Sequence, residues 1–452
     1  MSNHSSFPTS SRLQSRRAFL KNGLAAAGAL ALTRPTLLGS VLTGQKLGVA
    51  VIGAGGMGGY SMDESLRENL VAIADVDDNT IAQVMKEKVK DQAKPRIFND
   101  YRKMLEQCQN DIDVVLIATP DHHHAPAAIR AMHLGKHVFC QKPLAHNIRE
   151  CYELARMARE KKLCTQMGNQ GYCDDRIRRV AEYIAAGAIG NVLETHTVLG
   201  RNFGGTGGRP ASKPVPPHLH WEEWIGPAPY REYHDGLHPF SWRDWRAFGT
   251  GTIGDMACHH VAVPFMALRL WEVKSFTVEC VNTTGGSEEK YPQDNIVRYD
   301  IPAREKFPAC KLYVYDHDGL KPQVWKEAEQ KEQRKFGEFT LFIGDKGMIG
   351  SDAVIIPQAD HDKFPSPAKT LPRAHSGGPI QDLYWCIRNG GTPASNFPQA
   401  AAPLTSIALT GHLAQFAGKG SRVDWDMDAM RCSNIPEINR YVRREYRPGW
   451  EV

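Results

Sequence analysis

The ten cysteines of this sequence include no C-x-x-C pair and no metal-ligand spacing, and the chain has no long block of lysine and arginine. The first absence argues against a disulfide scaffold or a zinc ribbon, so no metal is expected. The second, with a net charge of +5 over 452 residues, gives little reason to expect a nucleic acid partner. What remains is an ordinary globular composition, 42% apolar and 23% charged, in a chain long enough for two or three domains.

The first 44 residues have the composition of an export signal and a linker. A polar stretch precedes R-R-A-F-L-K at residues 16–21, and an apolar run follows from Gly23 to Leu32. This pattern resembles a twin-arginine signal, and the apolar run is too short for a permanent membrane-spanning helix. We therefore expect the twin-arginine export machinery, which carries folded and cofactor-loaded proteins, to deliver this protein to the periplasm or the cell surface.

Residues 46–60 read K-L-G-V-A-V-I-G-A-G-G-M-G-G-Y and predict a strand, a tight turn and a helix. In this G-x-G-x-x-G pattern Gly53 allows the turn, Gly55 leaves room for a pyrophosphate, and Gly58 lets the helix approach the strand. Free N–H groups at the start of the helix favour the negative charge of phosphates. The stretch therefore predicts a dinucleotide site.

An acidic residue at the end of the next predicted strand strengthens this prediction. Asp75 follows the strand at residues 70–74 and lies 22 residues after Gly53, where a carboxylate accepts hydrogen bonds from an adenosine ribose. Its charge would repel the 2′-phosphate of NADP, and Asp77 and Asp78 add to that charge. NAD is therefore expected in preference to NADP.

Strands and helices alternate as far as residue 166, which predicts a parallel Rossmann sheet over residues 45–166. T-P-D-H-H-H at residues 119–124 follows a strand end, where ligands bind in open α/β sheets. Three adjacent histidines could suggest a metal, but neighbours in an extended turn point in different directions. Residues 167–452 are expected to form an α+β domain with a large, mostly antiparallel sheet and a final helix over residues 434–446.

At this point a family resemblance emerges. The glycine loop, Asp75, T-P-D-H-x-H, G-K-H-V at 135–138 and K-P at 142–143 resemble the glucose–fructose oxidoreductase / inositol dehydrogenase (Gfo/Idh/MocA) family of nicotinamide enzymes. The resemblance implies that Lys142 lies beside the nicotinamide and the reacting hydroxyl, while Gln141 replaces the family's glutamate. It also implies a homo-oligomer, a dimer or tetramer paired through the second sheet. The expected cofactor-binding residues are Gly53, Gly55, Gly56, Met57, Gly58, Asp75, Thr119, Pro120, Asp121, His124, Gln141 and Lys142.

The segment from Gly200 to Gly251 lacks periodicity and is rich in glycine, proline and aromatic residues. Its aromatic content argues against disorder, and loops of this length are usually functional. Two interpretations remain open, a binding surface for a sugar or polyol and a lid that packs on the domain. The substrate-binding candidates are Asn169, Trp242, Arg243 and His260.

A helix is predicted from Gly251 to about Leu270, with Asp255 and His259 on one face. The family pattern matches these two residues to the pair that surrounds the substrate carbon together with the lysine. The resemblance therefore makes Lys142, His259 and Asp255 the catalytic candidates. His259 is the expected general base or acid. Lys142 is the expected electrostatic partner, which lowers the pKa of the substrate hydroxyl and relays its proton, and Asp255 is expected to orient the substrate or the imidazole.

These features predict a nicotinamide-dependent oxidoreductase that acts on a secondary hydroxyl of a sugar, cyclitol or glycoside, with NAD tightly bound. Two alternatives stay open. One is an NAD-retaining glycoside hydrolase or epimerase that uses a transient oxidation. The other is a non-catalytic sensor protein that binds nucleotide and sugar.

Overall fold

The computed structural model describes residues 45–336 and 339–452. The predicted export signal lies outside these residues. Within them, no helix has the length and apolar character needed to cross a membrane. The described residues belong to one compact unit.

The first sheet has six parallel strands in the order β3-β2-β1-β4-β5-β6. Its strands are β1 (Gly48–Ile52), β2 (Asn69–Ala74), β3 (Arg96–Phe98), β4 (Val114–Ile117), β5 (His137–Cys140) and β6 (Thr165–Met167). Every residue of β1 and β4 is buried, because helices cover both faces of a parallel sheet, and this explains their continuous apolar runs. The predicted domain boundary at residue 166 falls within β6.

Three of the five crossover helices begin at polar caps. The five helices are α1 (Gly58–Ser65), α2 (Asp78–Val84), α3 (Tyr101–Cys108), α4 (Asp121–His133) and α5 (Ile148–Glu160). Asp77, Asp100 and Asn147 each accept hydrogen bonds from backbone N–H groups in the first turn of α2, α3 and α5. These bonds satisfy N–H groups that have no partner inside the helix and fix where each helix starts.

The second sheet has nine strands in the order β13-β12-β11-β7-β10-β9-β8-β14-β15. Only the pairing of β7 with β10 is parallel among them. The strands are β7 (Val192–Val198), β8 (Ser275–Thr284), β9 (Gln293–Ile301), β10 (Cys310–Tyr315), β11 (Thr340–Gly344), β12 (Met348–Gly350), β13 (Ile355–Ile356), β14 (Arg422–Asp426) and β15 (Arg431–Cys432). The predicted combination of a Rossmann sheet with a mostly antiparallel second sheet is therefore confirmed.

The helices of this second part connect the two sheets. They are α6 (Asp175–Ala185), α7 (Trp221–Ile225), α8 (Gly251–His260), α9 (Ala262–Ala267), α10 (Gln323–Lys331), α11 (Gln358–His361), α12 (Pro379–Asn389) and α13 (Ala402–Ala417). Helix α13 contacts α5, α8 and β8 and is buried along most of its length. A helix that is apolar on all sides belongs in a core, and one continuous apolar core joins both sheets here.

Three local predictions were wrong. The helix predicted from Gly251 to Leu270 is divided between α8 and α9 at Val261. Pro264 explains the break, because its ring would clash with the carbonyl four residues earlier, where α8 ends. Residues 121–124 do not form an extended turn, since α4 begins at Asp121 directly after Pro120.

The predicted final helix over residues 434–446 is also absent, and a short 3₁₀ turn at Pro436–Tyr441 takes its place. The Asn439 side chain accepts a hydrogen bond from Cys432 N and donates one to Cys432 O, which ties this turn to β15. The carboxyl-terminal tail, residues 442–452, then runs along the Rossmann half. Long-range hydrogen bonds therefore override the local helical pattern.

The aromatic segment folds back over the Rossmann sheet. We call residues 218–250 the cover segment. His218 O accepts a hydrogen bond from Asp78 N at 3.0 Å, and His220 N donates one to Val76 O at 2.8 Å. Its rings form a separate buried cluster: Leu219, Trp221, Trp224, Ile225, Ala228, Tyr233, Leu237, Trp242, Trp245 and Phe248. Most of the segment's aromatic rings therefore pack on one another.

Candidate active site

A cavity of about 450 Å³ lies at the carboxyl ends of β1, β2, β4 and β5. The glycine loop forms one end of it, and Lys142 and Asp255 lie at the other. The cover segment and Trp450 of the tail form its outer wall. Of the twelve predicted cofactor residues, all except Gly58 and His124 line this cavity.

The glycine loop has the geometry that its sequence predicts. Gly53 has φ +81°, which L-residues with side chains rarely adopt. A Cβ on Gly58 would lie 2.1 Å from Gly53 O, so only glycine permits this approach of helix to strand. No side chain caps the N-terminus of α1. The N–H groups of Gly58 and Gly59 already donate to Gly55 O and Gly56 O, so it is the helix dipole that favours an anion such as a phosphate at this end.

Asp75 is fixed beside the glycine loop. Its carboxylate accepts hydrogen bonds from Ala54 N at 2.7 Å and from Asp77 N at 3.0 Å. Burial raises the pKa of Asp75, against the effect of these hydrogen bonds. Asp77 in turn lies 2.9 Å from His238 Nε2 of the cover segment. The acidic end of β2 therefore lines the cavity and also holds the cover.

The loop after β4 offers one unpaired polar group and one braced imidazole. The hydroxyl of Thr119 is buried and has no hydrogen-bond partner in the part of the chain that the structure describes. The ring nitrogens of His124 lie 2.7 Å from Pro143 O and 2.9 Å from Thr119 O. Burial lowers the pKa of His124 to about 4. His124 therefore braces the loops after β4 and β5 instead of lining the cavity.

Asp121 is a buried carboxyl group within the same cavity. The Thr250 hydroxyl donates a hydrogen bond of 2.7 Å to its Oδ2 atom. Burial, and then the negative charge of Asp255, raise the pKa of Asp121 to about 7. Asp121 was predicted only as a cofactor-binding residue, but this environment also makes it a group that exchanges a proton near neutral pH.

Gln141 shows most directly that the cavity is suited to a polar ligand. Its side chain is 4% exposed, and neither amide atom has a hydrogen-bond partner among residues 45–336 and 339–452. A buried amide without a partner costs about 1–3 kcal/mol, so a bound ligand that pairs with it gains that amount. Together with the glycine loop and Thr119, this unpaired amide fits a dinucleotide whose polar groups supply the missing partners.

Lys142 and Asp255 form an ion pair at the inner end of the cavity. Lys142 Nζ lies 2.9 Å from Asp255 Oδ1 and donates to Asp255 O at 3.2 Å. Arg243 Nε lies 3.4 Å from the same Oδ1 atom, and its guanidinium stacks over the Trp242 ring at 4.2 Å. Asp255 therefore lies between two cations, which fix its carboxylate.

The adjacent histidines of α8 have different surroundings. His259 lies one turn after Asp255, and its ring makes no hydrogen bond to another described residue. Burial, followed by the charge of Lys142, lowers the pKa of His259 to about 3. His260 Nδ1 lies 2.8 Å from Val198 O, and its ring stacks on Phe339 with centroids 3.6 Å apart. The imidazole of His260 is thus directed towards the second sheet.

Of the three remaining substrate candidates, two line the cavity and one does not. Trp242 and Arg243 line the cavity. Asn169 does not: its amide donates to Cys258 O at 3.3 Å, and its Oδ1 atom is buried without a partner among the described residues. Trp224, His238 and Trp450 also line the cavity but were not predicted. The sequence indicated Trp224 and His238 only as members of the aromatic segment. Nothing near Trp450 in the sequence indicates a contact with the Rossmann half.

The fold and the cavity are those of a Rossmann-type dinucleotide-binding protein with a second, mostly antiparallel sheet. Residues 47–169 match the Gfo/Idh/MocA oxidoreductase family, NAD-binding Rossmann fold, and residues 177–270 match the oxidoreductase family, C-terminal alpha/beta domain. These two parts of the chain are therefore each similar to a domain of that oxidoreductase family.

Curated relatives match over part of their length. Glycosyl hydrolase family 109 protein 1 of Shewanella sp. (strain ANA-3) is 37% identical over 130 residues, 27% of this chain and 28% of that protein. Levoglucosan dehydrogenase of Pseudarthrobacter phenanthrenivorans is 30% identical over 162 residues, 36% of this chain and 34% of that protein.

Among solved structures, the WlbA dehydrogenase from Bordetella pertussis in complex with NADH and UDP-GlcNAcA has a TM-score of 0.56. It is 16% identical, and the match covers 84% of this chain and 97% of that one. At this identity the likeness extends to the fold alone.

Proposed function

We propose that this protein uses bound NAD to oxidise a secondary hydroxyl of a sugar, cyclitol or glycoside, or to reduce the corresponding ketone. The observation that carries this proposal is one continuous cavity, lined at one end by the glycine loop and at the other by the Lys142–Asp255 ion pair. A cavity of this kind accommodates a dinucleotide and a reacting alcohol side by side. The dehydrogenase and glycosidase names of the relatives point to carbohydrate chemistry as well.

The residues of the cavity divide into two groups by their chemistry. The glycine loop, Asp75, Thr119 and Gln141 would hold NAD, which supplies a hydride acceptor when bound. The Lys142 ammonium would stabilise the alkoxide that forms when the substrate hydroxyl loses its proton. Asp255 positions Lys142, and Arg243 fixes Asp255 from the other side.

His259 is the proposed proton acceptor. It lies one turn from Asp255 on α8 and makes no competing hydrogen bond within the described chain. Burial lowers its pKa to about 3, so its imidazole is neutral at physiological pH with a free lone pair but is a weaker base than an ordinary histidine. His259 does not line the cavity, whereas Asp121 does, and its pKa of about 7 suits it to hold a proton there.

We also propose that NAD is preferred to NADP and is retained between turnovers. The Asp75 and Asp77 carboxylates lie where a 2′-phosphate would bring further negative charge. The cover segment contacts Asp77 through His238, and Arg102 donates from its guanidinium to Gly449 O at 2.8 Å in the tail. A cofactor under these two segments could leave only after one of them moves.

The same cover favours a second candidate reaction, glycoside cleavage or epimerisation through a transient oxidation. In that cycle the cofactor is reduced and reoxidised on one substrate, so it has no need to leave. Retention under the cover segment and the tail suits this cycle. The relatives named as glycosyl hydrolase family 109 proteins agree with it.

Two further proposals concern the whole protein. Export by the twin-arginine route would carry NAD out with the folded chain, and cell fractionation with an antibody tests it. A homo-oligomer would pair through the second sheet, on which Arg298 bridges Glu279 and Asp300. Size-exclusion chromatography with light scattering tests the second proposal.

The proposed reaction is tested on full-length protein purified from the cytoplasm. Denaturation should release NAD that mass spectrometry identifies. Recovering no nucleotide, together with no binding of added NAD or NADP, would contradict both reactions. A panel of sugars, cyclitols and glycosides then separates the two candidates: lasting NADH absorbance indicates net oxidation, and released aglycone without NADH indicates cleavage. Nucleotide and sugar binding with neither outcome would instead support a sensor protein.

A further inference from the structure

A second group of ligand side chains lies outside the cavity, around the start of α12. Asp382 and Cys386 are four residues apart and therefore share one face of this helix. His375 precedes the helix. One ligand atom from each of the three lies within 4.8 Å of the other two. The spacing H-x₆-D-x₃-C is not that of a zinc ribbon, so the sequence did not predict a metal here.

Asp382 is the most informative member of the group. Its side chain is 0% exposed, and it accepts hydrogen bonds of 2.7 Å from His375 N and from Ala394 N. No salt bridge joins it to a side chain within residues 45–336 or 339–452. A carboxylate with no access to water is costly unless a cation neutralises it, and each of its oxygens keeps a further lone pair.

The other two ligand atoms converge beside Gly391. A Cβ on Gly391 would lie 3.1 Å from Cys386 Sγ and 3.4 Å from His375 Nε2. Both atoms therefore face the same small volume, which the absence of a side chain at residue 391 leaves open. His375 is exposed and stacks on Trp385 with centroids 3.8 Å apart, so its ring can adjust, whereas Cys386 is buried and fixed.

We propose that His375 Nε2, Asp382 and Cys386 Sγ bind one zinc ion, with water as the fourth ligand on the exposed side. A nitrogen, an oxygen and a sulfur donor are the set that zinc accepts, at bond lengths of about 2.0–2.3 Å. Those lengths place tetrahedral ligands about 3.3–3.8 Å apart. The three ligand atoms lie within 4.8 Å of one another, and a rotation of the exposed His375 ring would bring its Nε2 atom closer to the other two. Binding displaces the Cys386 thiol proton to solvent.

The site would fasten an edge of the Rossmann sheet. The loop after α12 follows the outer strand β6: Met167 N donates to Ser395 O at 3.0 Å, and Ser395 N donates to Gln166 Oε1 at 2.8 Å. Asp382 already holds this loop through Ala394. A zinc ion would join α12 to the segment before it through His375 and would fix Asp382, which holds the loop, so the expected effect is on stability and not on chemistry.

The test begins with metal analysis of the full-length protein, purified without a polyhistidine tag. After dialysis against a chelator, zinc is added in competition with a chromophoric chelator. We expect one zinc ion per chain and a rise in melting temperature. Both should be lost in His375→Ala and in Cys386→Ala. The matched controls are His133→Ala, an exposed histidine elsewhere, and Cys310→Ala, a buried cysteine of the second sheet.

Cobalt(II) substitution provides a readout that does not depend on the variants. Wild-type protein should show the near-ultraviolet band of thiolate-to-cobalt charge transfer, which identifies a cysteine as a ligand even if Cys386→Ala does not fold, and Cys310→Ala should keep this band. No retained zinc, no thiolate band, or equal binding by the two ligand variants and the controls would overturn the proposal. Released NAD is measured in the same samples. Loss of zinc with NAD unchanged separates this site from the proposed reaction.

Discussion

The floor and the cover of the cavity are built in different ways. The floor consists of backbone and short loops at the ends of neighbouring strands, and Gly53, Gly58 and Asp75 are close together in the chain. The cover consists of aromatic rings and hydrogen bonds between distant residues, such as Arg102 with Gly449, which are 347 positions apart. The floor therefore determines which ligand fits, and the cover determines whether the ligand can leave.

The largest expected effect lies where floor and cover meet. Lys142→Ala removes the cation that stabilises the developing alkoxide, and we expect the rate of NADH formation to fall about 10²–10⁴-fold. Bound nucleotide should remain, because the glycine loop is untouched. The assay uses the sugar with the fastest wild-type rate, and Lys161→Ala, at a half-buried lysine outside the cavity, is the control. A near wild-type rate would remove Lys142 from the mechanism.

Acid should weaken the attachment of the cover. His123 is buried, and its Nε2 atom lies 2.9 Å from Trp224 O in the cover segment. Burial lowers its pKa to about 3, well below the unfolded value of about 6.5. The neutral ring therefore contributes full stability above about pH 6.5, and this is lost as the pH falls below that value, by about 2 kcal/mol at pH 5.

Urea unfolding between about pH 7 and pH 5 measures this loss. His123→Leu, which cannot take up a proton, should show a shallower fall in the free energy of unfolding than the wild type. His133→Ala, an exposed histidine on the same helix, should follow the wild type. Equal slopes for His123→Leu and the wild type would mean that other buried histidines carry the pH dependence.

The floor can be disrupted by a single methyl group. A Cβ at residue 58 would meet Gly53 O at 2.1 Å, so Gly58→Ala should lower the free energy of unfolding by about 1–3 kcal/mol and release NAD. Gly59→Ala is the matched control, since the nearest atom to its new Cβ is 3.7 Å away. Thermal melting and nucleotide analysis compare the two variants. Similar behaviour of both would mean that the loop relaxes around the methyl group.

Trp450→Ala tests the cover at its tail. The Arg102 guanidinium lies 3.7 Å from the Trp450 ring centroid, and losing this contact should speed NAD release about 2- to 30-fold. The effect should fall on the dissociation rate, since the floor contacts stay intact. The partly exposed Trp271→Ala is the control. Unchanged release would show that the tail does not limit departure of the cofactor.

The sequence predicts the floor well because its requirements are local. A turn with positive φ at Gly53 and a close approach at Gly58 can each be satisfied only by glycine, so the chemistry appears in the motif itself. The family resemblance paired Asp255 with His259 and placed Lys142 near both, whereas the ion pair between Lys142 and Asp255 was not predicted.

The cover could not be derived in this way. Nothing near Trp450 or His238 in the sequence specifies their partners, which tertiary packing selects. Residues 121–124 were placed in a turn, but Pro120 and Asp121 start a helix there, and burial then makes its histidines structural. His259 and His260 show the same limit: their roles are separated by the contact of His260 with Val198 O and by its stacking on Phe339, neither of which the local sequence specifies.

The smallest expected effect concerns Asp121, a floor residue that accepts a hydrogen bond from Thr250 at the end of the cover segment. Burial is the main cause that raises the pKa of Asp121 from about 3.9 in the unfolded chain to about 7 in the fold, so stability falls as the pH rises from about 4 to about 7 and levels off above that. Asp121→Asn keeps an oxygen for the Thr250 hydroxyl but cannot ionise. It should be more stable than the wild type above about pH 7 and should lose the inflection near that pH in the profile of kcat/KM. Identical profiles for the two proteins would mean that no catalytic proton passes through Asp121. The cover segment, which holds Asp121 through Thr250, would then shield the reaction without taking part in its proton transfer.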